Sequence, residues 1–133
     1  MVKIGSCTVV YNPNSEVLEN LKSYTDLVHI SVVVDNSDTK NEISNLLKND
    51  PDYVYIDMHG NKGIAQALNF GIRYLNRLGL DFVLTMDQDS TFPAEYYLKI
   101  VDLIEKYQNE YSVIGLNFNH ANDVSNSKII DVP

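Results

Sequence analysis

The strongest constraint on this chain is its rhythm. Apolar or β-branched runs at residues 2–10, 29–35, 53–57 and 80–86 each lead into a polar cluster, and each cluster is followed by a segment with helical spacing. The clusters are Tyr11-Asn12-Pro13-Asn14, Asp35-Asn36-Ser37-Asp38, Gly60-Asn61-Lys62-Gly63 and Asp87-Gln88-Asp89-Ser90. Asn, Asp, Gly and Pro in such groups are turn residues, so each run reads as a strand that stops there. Between them, Val17, Leu18, Leu21 and Tyr24 fall on one helical stripe, as do Ile64, Leu68, Ile72 and Leu75, with Gly79 where a left-handed C-terminal residue is expected. Thr39-x-x-Glu42 is a capping-box pattern ahead of Ile43, Leu46 and Leu47, and Asp50-Pro51 ends that helix. Pro93 opens a fourth helix with Tyr97, Ile100, Val101 and Ile104 inward, and residues 112–116 read as a fifth strand. Strands alternating with helices imply an α/β fold, a mainly parallel sheet with helices on both faces. In such sheets ligands bind beyond the carboxyl ends of the strands, where the strand order reverses. The polar clusters are therefore the expected site.

Composition narrows the function classes. With 133 residues the chain can bury roughly two-thirds of its unfolded surface, enough for one cored domain. Ten basic against eighteen acidic side chains give a net charge of −8, which argues against binding nucleic acid through a basic face. Cys7 is the only cysteine and sits in an apolar run, so an inert buried thiol is expected. No apolar stretch approaches the roughly 20 residues a membrane span needs. Residues 1–11 hold one lysine and no small-residue cleavage site, unlike a signal peptide. The expectation is a soluble, cytoplasmic protein. His29, His59 and His120 have no metal-ligand spacing, and no nucleophile elbow is present.

Each cluster has a plain reading beside a chemical one. Asp87-Gln88-Asp89 offers two hard oxygen ligands at a strand end, suited to Mg2+ or Mn2+ completed by water and phosphate, but an Asp there can also cap the next helix. Asp35-Asn36-Ser37 could place a carboxylate against the ring N–H of a pyrimidine, or form only an Asx turn. Gly60-Asn61-Lys62-Gly63 precedes a helix start, where backbone N–H groups favour an anion, yet it matches neither common glycine-rich phosphate motif. Asn69 either reaches back to the Asn61 loop or is exposed. Tyr53, Tyr55, Tyr96 and Tyr97 read as packing or rim residues.

Together the clusters say more. V-V-Y-N-P at 9–13, V-V-D-N-S at 33–37, G-N-K-G-I-A-Q-A-L-N-F-G-I at 60–72 and F-V-L-T-M-D-Q-D-S at 82–90 resemble, in order and spacing, the amino-terminal half of family 2 glycosyltransferases of the GT-A fold. N-x-G-I-A-x-A-L-N and L-T-x-D-Q-D-S are similar to the wording of the bacterial rhamnosyltransferase-like subgroup. The resemblance implies a Rossmann-like nucleotide-sugar-binding domain over residues 1–117, with residues 118–133 a polar tail that begins a missing acceptor half. It implies that Tyr11 and Asn12 line the base pocket, that Asp35 with Asn36 recognises the pyrimidine edge, and that Asn61 and Gly63 form the wall near base and ribose. Asp87 and Gln88 would stand by the ribose, and Asp87 with Asp89 would hold Mn2+ or Mg2+ on the donor diphosphate. The implied activity is metal-dependent, inverting transfer of a sugar, with subgroup wording pointing to L-rhamnose from a dTDP donor, onto a cell-surface or lipid-linked glycan. The full-length protein would then work at the inner face of the membrane. A homodimer through the apolar face that the missing half would cover is also expected.

Two departures qualify the resemblance. Leu68 stands where many members carry Arg before the Asn of the third motif. The general base normally lies beyond this chain's end, and Glu95, Asp102, Glu105, Glu110, Asp123 and Asp131 have no motif to support them in that role. The expectation is a truncated transferase that binds donor poorly and does not catalyse. Three rivals remain. Asp87-Gln88-Asp89-Ser90-Thr91 satisfies the D-x-D-x-T motif of haloacid-dehalogenase-like phosphatases, but after the fourth strand rather than the first. A receiver-type domain fails for want of an acidic pair after the first strand. A non-catalytic module on the same sheet would use the clusters only as turns and caps.

Overall fold

In a computed structural model, residues 1–110 and 113–114 are described. The elements alternate: β1 (Ile4–Val10), α1 (Glu16–Thr25), β2 (Ile30–Asp35), α2 (Glu42–Asn49), β3 (Val54–Asp57), α3 (Ile64–Arg77), β4 (Phe82–Asp87) and α4 (Ala94–Tyr107). The chain forms two compact units, Met1–Tyr97 and Leu98–Pro133. Within the second, Ile100 and Ile104 are buried. The expected boundary after residue 117, and Ser112, Gly115 and Leu116 of the expected fifth strand, lie outside the described residues.

The first unit is built on a four-stranded parallel sheet in the order β3-β2-β1-β4. From β1 the chain moves outward through β2 to β3, then returns to place β4 on the other side of β1. The order therefore reverses between β1 and β4, and the crevice rule points to their carboxyl ends. All seven residues of β1 are buried, as a central parallel strand requires.

Because side chains alternate across a strand, the two sheet faces differ. One carries Cys7, Val9, Val32 and Val34, which form an apolar cluster with Ala67 and Leu75 of α3. Burial there pushes the Cys7 thiol up to about 11, so it stays protonated and inert, as expected. The other carries Ser6, Thr8 and Ser31, whose hydroxyls are satisfied in pairs. Ser6 Oγ meets Ser31 Oγ at 2.8 Å, and Thr8 Oγ1 meets Tyr24 Oη of α1 at 2.7 Å. Helices thus cover both faces, α3 on one and α1 on the other.

Two sequence expectations need correction. The buried stripe of α3 runs through Ala67, Gly71 and Leu75, whereas Ile64, expected inward, is 59% exposed. The reason is close approach. Gly71 lies so near Cys7 Sγ and Val34 Cγ2 that a Cβ would collide, and small residues on this face let the helix sit low on the sheet. The cap of α2 is Asn41 rather than Thr39: Asn41 Oδ1 accepts the Ser44 N–H at 2.9 Å, and Leu46, also expected inward, is exposed. Asn69 is exposed as well.

Gly71→Val should lower stability by about 1–3 kcal/mol through overpacking, against only a small gain in helix propensity. Urea unfolding checks this, and an unchanged midpoint would mean that α3 does not seat so closely.

Candidate functional site

Four loops meet at the carboxyl edge of the sheet, and one carboxylate organises three of them. Asp35 ends β2 with no exposed surface. Its Oδ2 accepts the Tyr55 hydroxyl at 2.6 Å and its Oδ1 accepts the Ser37 N–H at 2.9 Å. Strand register sets Asp35 directly opposite Asp57 of β3, a like-charge pair that needs a cation. Lys40 supplies it: its Nζ stands 2.9 Å from Asp57 Oδ1 and 3.8 Å from Asp35 Oδ1, and donates to the Ser37 carbonyl at 2.6 Å. Burial by itself pushes the Asp35 carboxyl up, but the hydrogen bonds from Ser37 and Tyr55 outweigh it and hold the group below its ordinary value. The same pairing, with burial, pushes the Tyr55 hydroxyl well above the usual phenol range.

The turn that Asp35 fixes then holds its neighbours. The Ser37 hydroxyl accepts the Asn12 N–H at 2.8 Å, and the Asn36 N–H donates to the Val10 carbonyl at 2.8 Å, which ties the loop after β1. Asn12 is held in the left-handed region at φ 45°, a conformation that Asn tolerates better than most residues. The Asn36 side chain binds the loop before α3 from both ends. Its Nδ2 donates to Asn61 Oδ1 at 3.0 Å and its Oδ1 accepts the Lys62 N–H at 2.8 Å. Asn61 Oδ1 also accepts the N–H of Gly63, which caps α3 at φ 82°, where a side chain would be strained.

Asp87 closes β4, and the chain turns at once, with the Ser90 N–H donating to the Asp87 carbonyl at 3.1 Å. Asp87 and Asp89 are both exposed. Between them Gln88 pairs with the main chain of Tyr11: its Oε1 accepts the Tyr11 N–H at 2.9 Å and its Nε2 donates to the Tyr11 carbonyl at 3.2 Å. Among the described residues no three His, Cys, Asp or Glu side chains converge as a metal cage. Two exposed carboxylates fit a hard divalent ion that takes its other ligands from water and a phosphate-bearing ligand, and they do not fit a resident structural metal.

The structure therefore brings Tyr11, Asn12, Asn36, Asn61, Gly63 and Gln88 into one hydrogen-bonded edge, with Asp87 and Asp89 at its β4 end. It buries Asp35, expected at the pyrimidine edge, with both carboxylate oxygens hydrogen-bonded within the protein. It also corrects the reading of Tyr55 as a packing residue. Tyr55, Lys40 and Asp57 were missed as partners of Asp35, and the signal lay in the strand pairing, since Tyr55 and Asp57 alternate onto one face beside Asp35. Glu95, Asp102, Glu105 and Glu110 are exposed, and Asp123 and Asp131 lie outside the described residues, as does His120.

With this geometry in place, comparison with known proteins is decisive at the family level. The profile described as Glycosyl transferase family 2 matches residues 7–130. The chain belongs to that family. The D-x-D-x-T pattern therefore lies in a family 2 glycosyltransferase chain, which does not fit the phosphatase reading. No curated protein sequence matches the chain. Among solved structures the fold is similar to the crystal structure of S. aureus TarS residues 1–349, with a TM-score of 0.63 and 21% identity, covering 80% of this chain and 33% of that one. A second crystal structure of S. aureus TarS gives a TM-score of 0.62 at 21% identity, covering 80% of this chain and 20% of that one. The chain thus spans a third or less of the structures it resembles. No helix among the described residues is long and apolar enough to cross a membrane.

Tyr55→Phe should cost about 1–3 kcal/mol at neutral pH, because it leaves a buried carboxylate oxygen short of a donor. The pH dependence has a definite sign. A carboxyl held below its unfolded value of about 4 stabilises the fold above that pH, and the contribution is lost as pH falls through the folded value. Urea unfolding between pH 2 and 7 should show the loss in the native protein and a flatter acid limb in Asp35→Asn.

Proposed function

We propose that this chain is the donor-binding part of a sugar transferase, taking a nucleoside diphosphate sugar at the carboxyl ends of β1 and β4. The single observation that carries this reading is the placement of Asp87 and Asp89 at the reversal of strand order in a family 2 chain. Tyr11 and Asn12 line the base side, Asn61 and Gly63 the wall beside base and ribose, and Asp35 with Asn36 sets the shape of the base pocket from within. Asp87 and Asp89 would hold Mg2+ or Mn2+ at the diphosphate. Such an ion, when bound, supplies Lewis-acid neutralisation of the charge that develops on the departing nucleoside diphosphate. The chain's own part is to orient the donor and to place the two carboxylates beside its diphosphate.

The donor we favour is a dTDP sugar, L-rhamnose, transferred with inversion to a cell-surface or lipid-linked glycan at the cytoplasmic membrane face. Support for that sugar is the subgroup wording of the L-T-M-D-Q-D-S and N-K-G-I-A-Q-A-L-N segments.

Calorimetric titration with dTDP and with UDP, each with and without Mn2+, tests the reading. Binding should depend on Mn2+, favour dTDP, and weaken by about tenfold or more in Asp89→Ala, since a charge-assisted contact exceeds the roughly 1.4 kcal/mol that a tenfold change represents. No heat from either nucleotide with folded protein would favour the non-catalytic module instead.

A further inference from the structure

Gln88 lies between the two carboxylates, where a ligand contact would be natural, yet both ends of its amide bond the protein. The last paired residues of β1 and β4 are Val9 and Asp87. Beyond them the β4 main chain turns away, and the Gln88 side chain takes over the pairing, giving and receiving one hydrogen bond with the main chain of Tyr11. The amide thus adds one rung to a ladder that the backbone has left. Its own main chain is tied in the other direction. Asn20, in α1, donates from Nδ2 to the Gln88 carbonyl at 3.0 Å. Three hydrogen bonds from residues 68 to 77 positions apart cross the place where the strand order reverses, and a fourth, from the Phe92 N–H to Ser23 Oγ at 2.8 Å, ties the chain just beyond the turn to α1.

We propose that Asn20 and Gln88 are positioning residues, a strap that sets where Asp87 and Asp89 stand relative to the loop after β1 and so fixes the metal-dependent part of donor affinity. This deepens, and rests on, the reading of this edge as the donor site. An exposed turn held at one point would have to be ordered when an ion and a diphosphate bridge it, which weakens binding. A turn held from β1 and from α1 is ordered beforehand. Asn20 is the cleaner of the two to change, because it lies in α1, where Ala is a better helix former.

The test uses Asn20→Ala and Gln88→Met in the whole chain, with two readouts. Amide hydrogen exchange without ligand reports the strap at the Tyr11 N–H, and calorimetry reports dTDP and UDP binding with and without Mn2+. Gln88→Met should speed Tyr11 exchange by about tenfold. Both variants should weaken Mn2+-dependent binding by about three- to tenfold, the range of one or two hydrogen bonds, with the metal-free binding of Asn20→Ala within about twofold and its melting midpoint no lower than that of the native protein. Native-like Mn2+-dependent affinity in both variants overturns the strap and leaves the donor site standing. Equal weakening with and without Mn2+ overturns it too, by making Gln88 a nucleotide contact. A native protein that binds neither nucleotide removes the donor reading, and this inference falls with it.

Discussion

A carboxylate without exposed surface must be surrounded by donors, and those around Asp35 come from separate stretches of the chain. Tyr55 arrives from β3, the Ser37 amide from the turn itself, and Lys40 from the approach to α2, where it also screens Asp35 from Asp57. Charge taken out of water in this way is costly unless every oxygen is met, so the arrangement specifies one geometry rather than several. From that geometry the rest of the edge follows. Ser37 and Asn36 hold the loop after β1, and Asn36 holds the loop before α3. Removing the Asp35 charge would loosen three loops at once, although none of them is adjacent to another in sequence.

Below this polar edge the sheet has the usual apolar logic, with one difference between its faces. The α3 side is dry and tight, and Gly71 is the residue that permits its closeness. The α1 side carries buried hydroxyls, each answered by another. A rigid parallel core under four short loops suits a binding edge, because the loops can be polar and exposed while their ends stay fixed.

The fold could be read from the sequence because strand-and-turn alternation is a local signal, and β1 to β4 appear within two residues of their expected bounds. Expectations failed where tertiary contact overrode a local pattern. The α3 stripe rotated because Ala67 and Gly71 offered a closer fit than Ile64. Asn41, directly after the Lys40 that Asp35 and Asp57 draw in, displaced Thr39 as the cap of α2. At the site, the motifs mark the loops at the carboxyl edge of the sheet but not the contacts made within them. Whether Asp35 or Asn12 faces outward depends on burial, and the Tyr55–Asp35 contact depends on pairing between β2 and β3. Neither is written in a motif. Family membership rests on the profile match over residues 7–130, and the resemblance to S. aureus TarS supports the fold.

The central claim is one of place: a nucleoside diphosphate and its ion bind at the carboxyl edge, over the junction of β1 and β4. Paramagnetic broadening by Mn2+ in amide NMR spectra, recorded with dTDP present, reads that place directly on a 133-residue chain. The account predicts that signals of Tyr11, Asn12, Gln88, Asp89 and Ser90 are lost first, with Asn61 and Gly63 next. Lys3, His29 and Asp81, at the opposite edge, should be unaffected. Broadening centred on that opposite edge, or spread evenly over the acidic surface, would contradict it.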